Sequence, residues 1–393
     1  MTTRVKAFAN PRLLRWARES AGFDLDTAAK KVPVKPERLG TWEQGELHPT
    51  IHQLRKLARV YRRPMAAFYL AEPPPPLKTP KDFRRLPATG EGARSSHLLF
   101  EIRQATTRRR IALELLADEG EDPPTLVLEA RPNDAPGEVA NAIREASGIK
   151  PDIQFKWDDH YEAFNAWRAA IERIGALVLQ MTEVPTQEAR GFSIAEFPLP
   201  IVVVNVKDPP QARIFSLFHE LTHLVIRQGG LCDFEDALAN GSGSEMVERF
   251  CNSVSGSVVV PRSLLLAENV VQQHGSTPRW DESEIRTLSQ RFRVSREVIV
   301  RRLLNQGMTS QDFYREKREQ YQEQLRKSKA PAPGFAPPHT MALASAGPTF
   351  TSLVLSTYGQ GKITASDVSD YLGIRLKHLP KIEEQLGAKG DRL

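Results

Sequence analysis

The residues of this chain best suited to chemistry lie in FSLFHELTHLVIRQ, which contains His219-Glu220-Leu221-Thr222-His223. On a helix, positions four apart share one face one turn apart, so both imidazoles can reach a common ion while Glu220 points to the adjacent groove. Two neutral imidazoles suit Zn2+, and a catalytic zinc needs a third protein ligand plus an open position for water. The expectation is therefore one zinc per chain, with Glu220 as the general base that takes a proton from the attacking water and passes it to a leaving amine. The flanking Phe215, Leu217, Phe218, Leu221, Leu224, Val225 and Ile226 predict a largely buried helix, where two solvated histidines would be poorly placed. The competing reading is a buried histidine pair without an ion.

The third ligand should be Asp, Glu or His on a neighbouring helix. In SEMVERFCNSVSG, Glu248 opens a helix whose apolar inner face is Val247, Phe250, Cys251 and Val254, and Asn252 lies one turn on. Its place on that helix puts Glu248 first, and Glu245, Asp233, Glu235 and Asp236 are rivals by residue type.

Several elements must position these side chains. The pattern predicts a helix near 96–117, a strand in TLVLEA (125–130), and helices near 136–147 and 158–174. The β-branched runs 176–181 and 201–206 read as strands, with Pro198 and Pro200 before the second. The motif helix is expected over about 211–227, followed by a Gly-rich acidic loop through Ser244 and a helix over about 245–258 ended by Pro261. Residues 281–306 read as helical, and the charged stretch 311–327 as a solvated helix.

A chain of 393 residues with 40% hydrophobic content has room for two or three domains with buried cores. The run Pro73 to Pro76, with Pro80 and Pro87, favours extended polyproline geometry and marks a linker over 73–95. A second linker, APAPGFAPP, falls within 311–339 together with the charged helix. The division is thus 1–72, linker 73–95, a domain over 96–310, the stretch 311–339, and a small helical C-terminal module over 340–393. In that module Thr364 caps a helix with Asp367 three residues on, Gly373 makes a turn, and Pro380 falls in the helix that follows. Residues 11–70 read as five short helices punctuated by Gly22, Pro33, Pro36, Gly45, Pro49 and Pro64, with Asp24 as an N-cap. That spacing is a helix-turn-helix with extra packing helices, around a core of Leu13, Leu14, Ala17, Ala28, Leu39, Leu54, Leu57 and Ala58.

Residues 1–70 hold 14 Lys and Arg against 6 Asp and Glu, while the other 323 residues sum to −2 of the chain's +6. The N-terminal module is the part charged to meet phosphate. Only Cys232 and Cys251 occur, which excludes a disulfide framework. No apolar run approaches the roughly 18 residues that span a bilayer, and MTTRVKAFANPRLL lacks a secretory apolar core. A cytoplasmic protein without membrane attachment is expected.

RGFS (190–193), PIVVVN (200–205), RIFSLFHELTHLVI (213–226) and ERFCNSVSGSVVVP (248–261) resemble the ImmA/IrrE metallopeptidases in the long form that begins with an Xre-type helix-turn-helix. The resemblance covers nearly the whole chain. It implies a multidomain, mainly α protein: an all-α helix-turn-helix domain at 1–72, then an α+β metallopeptidase core with a small mixed sheet packed on the HExxH helix. It implies Glu248 as the third zinc ligand, by the Glu and Asn four apart, and a packing role for Cys251 where family members usually carry Ala. The family is known for cutting Xre-type repressors in stress or mobile-element responses, so such a repressor is the expected substrate. An extended peptide could add to the edge of strand 201–206, placing Ile201, Val203 and Asn205 as substrate-strand candidates. Arg190, Tyr161 and His97 are candidates for stabilising the oxyanion.

RLLRWARESAGFDLDTAAKKV and PVKPERLGTWEQGELHPTIHQLRKLA resemble Xre domains, with the Trp42-Glu43 and Gly45 landmarks. The recognition helix would run from about Pro36 to Gln44, and Lys35, Glu37, Arg38 and Thr41 would reach double-stranded DNA. The resemblance implies a homodimer. Leu25 stands where a polar residue is common, and Gly40 lies within the recognition helix, so protein binding is a rival use. The leading reading is a cytosolic zinc-dependent regulatory endopeptidase with a DNA-binding domain. One rival is a DNA-binding regulator whose metallopeptidase-like domain is a sensor or partner-binding module without turnover. Another is an antitoxin-like protein that binds a partner through both folds.

Overall fold

A computed structural model describes residues 5–74, 81–82, 95–228, 230–232, 243–327 and 337–390. The chain forms two compact units: Met1–Thr79 with Leu86–Gln104, and Pro80–Arg85 with Ala105–Leu393.

The first unit contains α1 (Pro11–Ser20), α2 (Leu25–Lys31), α3 (Pro36–Gln44) and α4 (Ile51–Val60), then a 3-10 turn over Met65–Tyr69. Local chemistry sets these limits. Asn10 and Asp24 accept main-chain N–H groups at the starts of α1 and α2, Gly45 ends α3 at φ 82°, and Thr50 with Gln53 forms a capping box on α4. Leu14, Ala17, Ala28, Leu39, Leu54 and Leu57 pack with Trp42, Tyr61 and Phe68 into one core. Inside it Arg18 donates from Nε to Glu43 Oε1 (2.8 Å) and from Nη2 to Glu43 Oε2 (2.9 Å).

The strand β1 (Lys81–Asp82) belongs to the second unit. Helix α5 (Ser96–Glu119) contributes residues to both. Next come α6 (Pro136–Ser147), α7 (Pro151–Gln154), α8 (His160–Arg173), β2 (Leu177–Met181), β3 (Gly191–Ile194), β4 (Ile201–Asn205), α9 (Pro210–Val225), β5 (Gly230–Cys232) and α10 (Gly243–Val259). The mixed sheet has the order β1-β5-β3-β4-β2: β4 is parallel to β2 and antiparallel to β3, which in turn pairs antiparallel with β5. Helix α9 packs on β3 and β4 and lies against α8 and α10. A continuous apolar core joins these helices and extends through α11 (Arg262–Ala267), α12 (Asn269–Gln273), α13 (Glu282–Phe292) and α14 (Arg296–Asn305) to Tyr321 in α15 (Gln311–Lys327). The protein is thus mainly α, with an α+β core built around the motif helix.

The remaining helices, α16 (Pro338–Ala346), α17 (Pro348–Gly359), α18 (Ala365–Leu372) and α19 (Leu379–Gly390), lie within the same unit. Gln180 of β2 donates to the Ala344 carbonyl (3.3 Å), and Thr349 donates to the buried Glu172 of α8 (2.8 Å). Thr364 and Asp367 form a capping box on α18. Pro380 falls in the first turn of α19, where its missing N–H costs nothing.

The strand expected at 125–130 does not form. Its side chains alternate between exposed and inward positions, but the Ala130 N–H goes to Val225 O at the end of α9 (3.1 Å) and the Leu126 carbonyl accepts from Arg227 (3.3 Å). A strand needs a neighbouring strand, and here the neighbour is a helix end. Conversely β3 and β5 were not expected, since each is short and opens on a glycine. The loop expected through Ser244 contains β5 at its start, and residues 233–242 lie outside the described residues.

Candidate metal centre

Pro210 opens α9 at a first-turn position, and every residue from Arg213 to Val225 is buried. The helix therefore carries its motif inside the protein, as its apolar surround predicts. His219, Glu220 and His223 have no exposed surface. Helix α10 faces them with Glu248. Its carboxylate lies 3.2 Å (Oε2) from His219 Nε2 and 3.3 Å (Oε1) from His223 Nε2, and the two Nε2 atoms are 3.3 Å apart. These three residues form a group able to hold a metal ion. A tetrahedral ion with bonds of about 2.0–2.1 Å has ligand atoms about 3.3–3.4 Å apart, so the observed triangle is the size of one face of such a polyhedron.

The electrostatics point the same way. Burial alone would raise the Glu248 carboxyl, but hydrogen bonds and charge from His219 and His223 outweigh it and hold Glu248 well below the usual carboxylate range. Burial pushes His223 below the ordinary imidazole value. An anionic carboxylate and a neutral imidazole are the forms that bind a cation.

Two further residues shape the centre. Asn252, one turn beyond Glu248, places Oδ1 3.1 Å from His219 Nδ1, which sets the Nδ1–H tautomer and turns the Nε2 lone pair toward the triangle. Gly191, the first residue of β3, leaves room for the Glu220 carboxylate: a Cβ built there would stand 2.9 Å from Glu220 Oε1 and 2.9 Å from the Val203 carbonyl oxygen. Sequence reasoning had placed Asn252 beside Glu248 and Gly191 inside RGFS without giving either a role. A glycine opening a strand is a signal for close approach, but with β3 itself not expected the sequence did not offer it.

Of the four rivals for third ligand, Glu245 alone lies among the described residues. Glu245 pairs with Arg249 one turn on, and Asp233, Glu235 and Asp236 lie outside the described residues. Burial pushes the Cys251 thiol up, and the side chain packs in the core as expected. Of the oxyanion candidates, Arg190 lies 3.9 Å from Asp208 and Tyr161 sits by Arg213, while His97 is in the first unit, with Nδ1 3.2 Å from Arg62.

The substrate-strand expectation is corrected by the sheet. β4 is an interior strand, paired along Ile201–Asn205 with β2 on one side and along Ile201–Val204 with β3 on the other. Its main-chain groups are already used, so no peptide can add to it. Ile201 and Val203 are core residues, and the Asn205 amide holds the preceding loop by donating to Val184 O (3.0 Å) and Ala189 O (2.8 Å).

In the first unit, Lys35 at the N-cap of α3 and Glu37 and Arg38 in its first turn are exposed. Thr41 is half-buried, and its hydroxyl donates to the Arg38 carbonyl (2.9 Å). A Cβ on Gly40 would meet nothing within 4 Å, and Leu25 is 38% exposed at the start of α2.

Comparison with known families finds two matches. Residues 172–304 match a peptidase family model described as an IrrE N-terminal-like domain, and residues 12–67 match one described as a helix-turn-helix domain. The chain thus combines a metallopeptidase-type domain with a helix-turn-helix domain. No curated protein matches it. Among the described residues no helix is long and apolar enough to cross a membrane.

Proposed function

We propose that this chain is a cytosolic zinc-dependent regulatory endopeptidase, one ion per chain, joined to a DNA-binding domain, and that it cuts an Xre-type transcriptional repressor in a stress or mobile-element response. The observation that carries the reading is the ligand triangle of His219, His223 and Glu248, with edges of 3.2–3.3 Å, on a helix that also bears Glu220. A bound zinc supplies a Lewis acid for the scissile carbonyl and acidifies a water. Glu220 takes the proton from the attacking water and delivers it to the leaving amine. Asn252 keeps His219 aimed at the ion, and Gly191 gives the Glu220 carboxylate its place. Lys35 and Arg38 on α3 reach double-stranded DNA, and pairing of two copies on half-sites follows from the Xre resemblance.

Elemental analysis of wild type, His223→Ala and Glu248→Ala, with incubation of the wild type against Xre-type repressors, tests this. One zinc in wild type, lost from both variants, and a discrete cleavage product are expected. Stoichiometric metal in His223→Ala would overturn the ligand set. The complete burial of His219, Glu220 and His223 favours one other reading, a metal sensor without turnover. Glu220→Gln separates the two: it should keep zinc and slow cleavage by about 10²–10⁴, whereas regulation that survives the change belongs to a sensor.

A further inference from the structure

Beside the C-terminal end of α9 lies a groove of about 240 Å³ that the proposed chemistry does not use. Its accessible apolar lining is Leu128 with Ala135 and Ala142 on the α6 side, over a base of the buried Val139 and Ile143 of α6 and Val225, two residues past His223. Its rim carries the carboxylates of Glu129, Asp134 and Glu138, and no lining residue is basic. Two of the three are engaged, Glu129 with Arg227 at 3.6 Å and Asp134 with the Arg131 N–H at 2.7 Å. Glu138 is exposed in the first turn of α6.

The wall opposite α6 is the 125–130 segment that failed to become a strand. Its side chains alternate outward and inward, as an extended chain does, and Val127 is 81% exposed. Among the described residues no hydrogen bond engages the main chain of Val127, Leu128 or Glu129. An extended main chain with free donors and acceptors pairs with another extended chain, and the groove beside it sets which side chain fits. An apolar floor under an anionic rim fits a long aliphatic stem with a cationic head.

We propose that this groove docks an extended segment of another protein carrying a lysine or arginine between apolar residues. Its main chain pairs with Val127–Glu129, and its cationic side chain lies over Leu128 and Ala142 with the head at Glu138, one turn before Ala142 on α6. Docking is independent of the zinc reading.

The test is fluorescence anisotropy of a labelled heptapeptide, Thr-Val-Thr-Arg-Thr-Val-Thr, titrated with full-length Glu220→Gln protein. Saturable binding is expected, at least tenfold weaker for the norleucine-for-arginine peptide. Adding Glu138→Lys, which reverses the free charge, or Ala142→Trp, which fills the groove, should each weaken it at least tenfold, with circular dichroism confirming the fold; should Ala142→Trp misfold, Glu138→Lys decides. No saturable binding, equal affinity for the norleucine peptide, or undiminished binding by the folded groove variants would overturn the proposal. Chelation of zinc should leave the affinity unchanged; loss of binding on chelation would assign the peptide to the metal cleft instead. A protein that binds the peptide but holds no zinc would retain the groove and sink the peptidase reading.

Discussion

Gly191 and Asn252 carry no reactive group, yet each controls one that does. Replacing Gly191 by alanine would set a methyl group 2.9 Å from both the Glu220 carboxylate and the main-chain oxygen of Val203. The carboxylate can move and the strand cannot, so Gly191→Ala should displace the base, keep zinc and lose most cleavage, at a stability cost on the order of 1–3 kcal/mol. Metal analysis beside a cleavage assay checks this; loss of zinc and activity together would mean the strand itself had shifted. Asn252→Ala acts on the other side of the ion. Freed from its 3.1 Å contact, His219 can rotate or change tautomer, and zinc affinity should fall about 10–100-fold. Competition with a chelator reads that loss directly, and an unchanged affinity would show that packing alone orients the ring.

Among the elements, α9 and α10 form the centre because each has an apolar face against the other, and α10 brings Glu248 opposite the histidines only in that packing. In the first unit α1 and α3 are joined differently, through the bidentate Arg18–Glu43 pair inside the core. Without Glu43 the Arg18 guanidinium keeps the Phe23 carbonyl (2.9 Å) and the exposed Glu19 (3.4 Å), so Glu43→Ala, which removes two charged hydrogen bonds, should destabilise this unit by about 1.5–3 kcal/mol. A double change to Arg18→Met and Glu43→Leu should recover much of it, measured by thermal unfolding of full-length variants. Equal midpoints for the single and double changes would mean the pair does not limit stability. Helices α9 and α10 and strands β2 and β4 were legible because each carries its apolar pattern locally, the two strands as largely apolar runs that are buried throughout. The segment 125–130 misled for the same reason: its alternation is that of a strand, and only the absence of a neighbouring strand denies it a ladder.

For the whole molecule, the placement of charge matters more than its sum, since the excess of basic residues lies in the N-terminal 70. If α3 engages phosphates, the association constant for DNA should fall steeply with salt, and Lys35→Ala and Arg38→Ala should each flatten the log–log slope by about 1. A slope near zero in the wild type would turn the helix-turn-helix toward a protein partner. The sequence by itself determined the helix that carries His219, Glu220 and His223 and the basic helical module at the start of the chain, and it pointed to Glu248 through family resemblance. The helix motif and the basic module are written in local spacing, which a helix turns into geometry without help from the rest of the chain, whereas Glu248 meets the histidines only through the packing of α10 on α9. Tertiary structure alone decided that β4 is an interior strand closed to substrate, that Gly191 makes room for Glu220, that Asn252 aims His219, and that a free extended segment borders an acidic groove. Those facts depend on what lies beside an element, and neighbours distant in sequence are set by packing rather than by local pattern.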